Sequence, residues 1–309
     1  MNTLSDNLEP VAYEDLTQHH PAGELIGDPR HTAGFQQVTA AHQTGCRHTR
    51  ETERATMTTT ELAGTTAIVT GASRGFGRAI AAALTARGAR VVGIARDRQP
   101  LDEVAKDLGG AFIPVAGDAA DPDLAGRLVA DYQPRTLVLN AGATPLAAPL
   151  SQQTWEDFSV NWDSDVRQVF SFTREALTGP LPPGSRVISF SSGAAIAGSP
   201  LSGGYAGAKA TIRFLSAYAG AEAAGRSLGI RFVSVLPQIT PDGGVGAPFV
   251  TAYAGYNGLS EEQFLAGIGP VLRAGQVGDA VADIASDDAY SSPAYLLTAA
   301  GIKPAASPG

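Results

Sequence analysis

Thr65-Thr66-Ala67-Ile68-Val69-Thr70-Gly71-Ala72-Ser73-Arg74-Gly75-Phe76-Gly77-Arg78-Ala79-Ile80 decides the fold of this chain. A short β-branched run breaks into a Gly-x-x-x-Gly-x-Gly turn and then enters an alanine-rich segment of helix formers. Glycines at 71, 75 and 77 permit a tight turn and let backbone N–H groups approach a phosphate at the positive end of a helix. Ser73, Arg74 and Phe76 lie in the same turn. Taken alone, a glycine-rich turn between strand and helix is equally an ordinary turn, so the rest of the chain has to decide.

Downstream, further short apolar runs alternate with longer Ala/Leu-rich stretches: RVVGIAR from Arg90, AFIPVAG from Ala111, TLVLNAG from Thr136, RVISFSS from Arg186, IRFVSVLP from Ile230 and AYLLT from Ala294. This βαβ alternation predicts an α/β fold, a doubly wound, mostly parallel sheet of about seven strands. The runs are almost continuously apolar, as expected of strands covered by helices on both faces. In such a sheet ligands bind beyond the C-terminal strand ends, where strand order reverses. The residues that follow each run are therefore the ones to read for chemistry.

With 309 residues, 44% hydrophobic and 17% charged, the chain can bury one full core. Residues 1–56 are polar, lack an apolar period and read as a disordered extension; residues 57–309, opening at Met57, read as one Rossmann-like catalytic domain. All five histidines lie in the extension, irregularly spaced and without a Cys/His pattern, so no metal site is expected. A net charge of −8 and the lack of a basic stripe argue against nucleic acid. Neither a secretory signal nor a membrane-spanning apolar run is visible, and the single cysteine, Cys46, has no internal partner for a disulfide. These features predict a cytoplasmic protein without a membrane partner.

The second run ends Ile94-Ala95-Arg96, with no carboxylate before Asp97. In dinucleotide enzymes an acidic residue at this tip binds the ribose 2′-hydroxyl, whereas arginine accommodates a 2′-phosphate. Arg74 is a second guanidinium in reach of the same group, and guanidinium suits bidentate phosphate contact. NADP(H) is therefore expected in preference to NAD(H), the alternative being that both arginines are solvated surface residues.

The densest chemistry lies in Ser189-Phe190-Ser191-Ser192-Gly193 and Tyr205-Ala206-Gly207-Ala208-Lys209. Tyr205 and Lys209 are four apart in a helix-forming segment, which puts both on one face. A phenol of pKa about 10 exchanges protons poorly near neutrality unless a cation stabilises the phenolate. Lys209 supplies that cation.

From about Met57 onward the chain resembles the short, single-domain type of the short-chain dehydrogenase/reductase family, and the resemblance rests on motifs that match in order and spacing. Thr70 to Gly77 resembles the family's cofactor turn. Asp118 resembles the carboxylate that holds the adenine amino group, and Asn140-Ala141-Gly142 the segment beside the cofactor. Asn161 falls where the family anchors a proton-relay water, and Ser192 where a serine bonds the substrate oxygen. Tyr205 and Lys209 resemble the general acid/base and the residue that tunes it and holds the nicotinamide ribose. The resemblance implies a small-molecule carbonyl or alcohol as substrate, hydride transfer, and a homodimer or homotetramer.

Two departures stand out. The family has Pro-Gly after its sixth strand and a threonine several residues later, whereas this chain reads Pro237-Gln238-Ile239-Thr240. Pro237 and Thr240 are assigned to the cofactor site by resemblance, and Gln238 is expected to bring a polar side chain beside the nicotinamide. Residues 241–269, with Phe249, Tyr253, Tyr256 and Phe264, lie where a substrate lid is expected, ordinary packing of these aromatics being the equal alternative. A hydrolase is disfavoured, because the folded part has neither histidine nor cysteine for a nucleophile pair. A sugar-nucleotide epimerase would need a longer substrate region and a different glycine spacing. The alternative that stays open is an NADP(H)-binding sensor or scaffold that does not turn over.

Overall fold

The protein is described here as a computed structural model covering residues 62–179, 181–242 and 244–306. The extension expected over 1–56, its histidines and Cys46, and the start at Met57 lie outside the described residues. One sheet of eight strands runs in the order β3-β2-β1-β4-β5-β6-β7-β8. Its strands are β1 (Thr66–Thr70), β2 (Arg90–Ala95), β3 (Phe112–Ala116), β4 (Thr136–Leu139), β5 (Arg186–Phe190), β6 (Arg231–Pro237), β7 (Ala294–Thr298) and β8 (Gly301–Pro304). The seven expected runs are β1 to β7, all parallel, and β8 adds an antiparallel edge paired to β7.

Both faces of the sheet are covered, and the continuous apolar runs are the reason. Ile68, Val92, Leu137, Val187 and Phe232 point to one face, and their chain neighbours Val69, Val91, Val138, Ile188 and Val233 to the other. The second face packs under α1 (Gly75–Ala86), α2 (Arg98–Leu108) and α10 (Ala274–Ser286). The first packs under α3 (Pro122–Tyr132), α5 (Arg167–Thr178) and α7 (Gly203–Gly225). Between β4 and α5 run α4 (Trp155–Asn161) and a π-helical turn (Trp162–Val166). A capping box fixes the start of α4: Thr154 Oγ1 accepts from Asp157 N at 3.2 Å, and Asp157 Oδ2 accepts from Thr154 N at 3.1 Å. A four-residue helix, α6 (Ala194–Ala197), follows β5, and α8 (Gly246–Tyr256) and α9 (Glu261–Ile268) follow β6.

Order reverses between β1 and β4, so the crevice beyond their C-terminal ends is where a ligand is expected. At the opposite end, the buried guanidinium of Arg186 donates to the carbonyls of Ile284 and Asp287 at the end of α10 and pairs with Asp288 at 2.7 Å. Arg186→Met is expected to lower stability by about 2 kcal/mol in urea denaturation, because the buried Ile284 carbonyl and the partly buried Asp287 carbonyl lose their donor. Asp288→Asn, at a side chain 84% exposed, is expected to cost less than about 1 kcal/mol.

Candidate active site

β1 delivers the glycine turn into the crevice. Gly71 and Gly75 have φ of 69° and 53°, the left-handed region that other residues enter only under strain. Gly77 answers a different demand: a Cβ there would sit 2.0 Å from Gly71 O and 2.8 Å from Asn140 Nδ2. Arg74 is the N-cap of α1 without a side-chain cap bond, and the first helical bond of that turn joins Arg78 N to Arg74 O at 3.2 Å. The N–H groups of Gly75, Phe76 and Gly77 therefore have no helix carbonyl to bond and face the crevice end. These are the features a dinucleotide pyrophosphate requires, and Ser73 sits partly buried among them.

Arg96 follows β2 and is exposed, as is Arg74; among the described residues neither forms an ion pair. The Arg74 guanidinium lies along Gly244, where a Cβ would come within 3.1 Å of it. Asp118, after β3, is exposed and accepts from Ala120 N at 2.9 Å, which fixes the turn into α3.

The segment after β4 is tied down from three sides. Asn140 Nδ2 donates to Thr70 O at 3.1 Å, while Thr70 Oγ1 accepts from Asn140 N at 2.9 Å and Ala141 N at 3.0 Å. The Thr70 hydroxyl itself donates to Gln168 Oε1 at 2.7 Å, and Gln168 Nε2 donates to Ala141 O. Asp165 Oδ1 accepts from Ala143 N at 2.8 Å, and its Oδ2 would lie 2.7 Å from a Cβ on Gly142. Gln168 and Asp165 are candidate site residues that the sequence reading passed over, and for Thr70, read there as the start of the turn, the structure adds these bonds.

Small residues let α7 come close to α4 and the π turn. A Cβ at Gly204 would lie 2.2 Å from Phe158 O, and one at Gly207 would touch the Trp162 ring at 3.7 Å. Tyr205 and Lys209 project from this close contact on the same face: Nζ lies 5.5 Å from the centre of the Tyr205 ring. Lys209 is buried at 5% exposure. Its ammonium donates to Phe190 O at 3.0 Å and lies 3.0 Å from Asp165 Oδ2. Burial pushes the Lys209 pKa down, but the charges of Asp165 and ionised Tyr205 outweigh it, leaving the value above that of an ordinary lysine. Ser191 Oγ donates to Lys209 O at 2.7 Å and ties α7 to the end of β5. Ser192 is partly buried, its hydroxyl accepting from Ala194 N at 3.2 Å. Asn161 Nδ2 donates to Ala143 O at 2.9 Å and reaches Asp165 Oδ1 at 3.3 Å, whereas its buried Oδ1 has no hydrogen-bond partner among the described residues.

Around the Pro237 turn the side chains are spent on the scaffold. Pro237 O accepts from Gly193 N at 3.1 Å. Gln238 Nε2 donates to Pro270 O at 2.8 Å, and buried Thr240 donates to Leu272 O at 2.6 Å. Both therefore hold the 270–272 segment against the end of β6. From Tyr205 a row of rings leads outward through Phe249 at 5.6 Å, Tyr253 at 6.0 Å and Phe264 at 5.9 Å, each spacing taken from the ring before. Burial pushes the Tyr253 phenol up, so it stays protonated at neutral pH.

Residues 65–244, more than half of the chain, match the family model for short chain dehydrogenases. The chain belongs to the short-chain dehydrogenase family. It is 32% identical over 123 residues to L-xylulose reductase of Mus musculus, covering 40% of this chain and 50% of that protein. A short-chain type dehydrogenase/reductase of Sinorhizobium fredii, itself uncharacterized, is 38% identical over 111 residues, 36% of this chain and 44% of that protein. Serine 3-dehydrogenase of Agrobacterium fabrum is 28% identical over 213 residues, 67% of this chain and 82% of that protein. The chain thus spans about half the length of the first two relatives. Members of this family are oxidoreductases that use NAD(P)H and act on small molecules. Among the described residues, no helix is long and apolar enough to cross a membrane.

Proposed function

We propose that this chain is an NADP(H)-dependent oxidoreductase that interconverts a carbonyl and an alcohol. The observation that carries the reading is the buried Lys209 ammonium 5.5 Å from the Tyr205 ring, at the strand ends where Gly71, Gly75 and Gly77 shape a phosphate cradle. Bound NADPH would supply the hydride. Gly75, Phe76 and Gly77 would hold its pyrophosphate by their N–H groups, Asn140 and Gly142 would flank it, and Asp118 would take the adenine amino group. Lys209 would hold the nicotinamide ribose, with Pro237 and Thr240 backing that end of the crevice.

Ser192 Oγ orients the substrate oxygen, and Tyr205 delivers a proton to that oxygen in reduction and removes it in oxidation. The Lys209 cation stabilises the negative charge that develops on the phenol oxygen. Asn161 Oδ1, buried and without a partner among the described residues, is the acceptor available to a proton relay.

The test is loss of NADPH absorbance against a panel of aldehydes and ketones, with L-xylulose included, and the reverse reaction with serine, because two relatives are named for these compounds. Turnover of any member supports the reading, and tight NADPH binding without turnover supports a sensor or scaffold instead. Arg74 and Arg96 supply the cofactor preference. Arg96→Ala is expected to weaken NADPH binding about tenfold or more, the worth of one charge-assisted hydrogen bond, while NADH affinity holds. Fluorescence titration with both dinucleotides measures this, and equal losses for the two would remove Arg96 from the 2′-phosphate site.

A further inference from the structure

We propose that Asp165 is the positioning residue that keeps Lys209 an ammonium ion, so that the site works as a Tyr205, Lys209 and Asp165 unit instead of a tyrosine and lysine alone. The inference rests on the Tyr205/Lys209 reading above and adds a carboxylate to it. Asp165 is 1% exposed, held in the π turn between α4 and α5. Its two oxygens do different work. Oδ1 is saturated, accepting from Ala143 N at 2.8 Å and Ser164 Oγ at 2.7 Å, with Asn161 Nδ2 at 3.3 Å. Oδ2 has no such partner among the described residues and lies 3.0 Å from Lys209 Nζ. The hydrogen bonds aim the carboxylate, and the aimed oxygen meets the lysine.

An ammonium taken out of water loses its charge unless an opposite charge or several acceptors replace its hydration. Among the described residues the groups facing Nζ are the Phe190 carbonyl from β5, the Tyr205 ring from α7 and Asp165 from the π turn. A phenol brings a charge only when ionised, and one carbonyl does not replace a hydration shell. Among the described residues, Asp165 is thus the only fixed negative charge on this face of Lys209. Its second effect follows from Coulomb's law: the same carboxylate moderates the field that Lys209 projects on the phenol.

Only three lysines occur in the chain, Lys106, Lys209 and Lys303, so NMR of protein labelled at lysine 13Cε reads the ionisation of Lys209 directly. The exposed Lys106 and Lys303 serve as internal references. In the unaltered protein Lys209 is expected to titrate above both. In Asp165→Asn, which keeps Oδ1 and removes the charge, its midpoint is expected to fall about two pH units or more below them, because burial is then opposed only by the Tyr205 phenol and the Phe190 carbonyl. The pH profile of kcat/KM should acquire a new fall at that same midpoint. A Lys209 midpoint in Asp165→Asn that stays at or above the references overturns the proposal, even if carbonyl turnover is robust. Conversely, a fallen midpoint in a protein that turns over nothing upholds the ion pair and sinks only the redox reading. Should Asp165→Asn not fold, thermal denaturation of Lys209→Met and of the Lys209→Met, Asp165→Asn double variant decides. The double variant is expected to recover most of the Tm lost by Lys209→Met, since it removes the stranded charge, and additive losses overturn the pairing.

Discussion

Tyr205→Phe is expected to lower kcat by about 10²- to 10⁴-fold, the contribution of a positioned proton donor, while NADPH affinity changes by less than about threefold. The substitution removes one oxygen and little else. The ring that packs 5.6 Å from Phe249 and 5.5 Å from Lys209 Nζ remains, so the pocket wall and the lysine keep their places. Because the phenol acts on a proton in transit and not on the resting substrate, KM should hardly move. Steady-state kinetics on any carbonyl that the panel reveals, paired with a dinucleotide titration, separates the two quantities. A fully active Tyr205→Phe enzyme would end the assignment of Tyr205.

Gly77→Ala is expected to cost about 3 kcal/mol of stability and to weaken dinucleotide binding at least about tenfold. One methyl group causes this because it has nowhere to go. Its carbon would overlap the Gly71 carbonyl, a backbone group, at 2.0 Å and crowd Asn140 Nδ2 at 2.8 Å, an amide held in place by its bond to Thr70 O. Relief requires α1 to move away from the turn, which displaces the three N–H groups proposed to bind the pyrophosphate. Overpacking of this kind typically costs about 1–3 kcal/mol, and a backbone obstacle belongs at the upper end. Gly225→Ala, at the end of α7 with nothing within 4 Å of the added atom, is the matched control. It should leave Tm within a few degrees and binding unchanged. If the two variants behave alike in denaturation and titration, the close approach at Gly77 has no energetic weight.

The first seven strands were legible because each is a run of apolar residues between turn signals, and a strand buried on both faces has no choice but to look like that. β8 left no such mark. Gly301-Ile302-Lys303-Pro304 is four residues at an exposed edge, and only its antiparallel partner β7 makes it a strand. Within the site, Tyr205, Lys209, Ser192 and the glycine turn could be found because their signal is local spacing. Asp165 was missed although it stands four residues from Asn161, since a carboxylate in a helix beside exposed Trp162 and Asp163 ordinarily belongs to a solvated face. What buries it is α7, some forty residues downstream in the sequence. Gln238 shows the same blindness from the other side: its odd residue type was visible, but not its partner, Pro270 O, 32 residues away. Long-range closure, more than local propensity, is what the linear pattern conceals.

The π turn between α4 and α5 bears on how such a protein can change over generations. A π turn amounts to one surplus residue in an otherwise regular helix. Deleting that residue would let the helix resume its ordinary pitch, with Val169, Phe172 and Ala176 still seated on the sheet. Gain or loss of a single residue at this point can therefore rewrite the electrical balance beside Lys209 while the scaffold beneath is inherited intact.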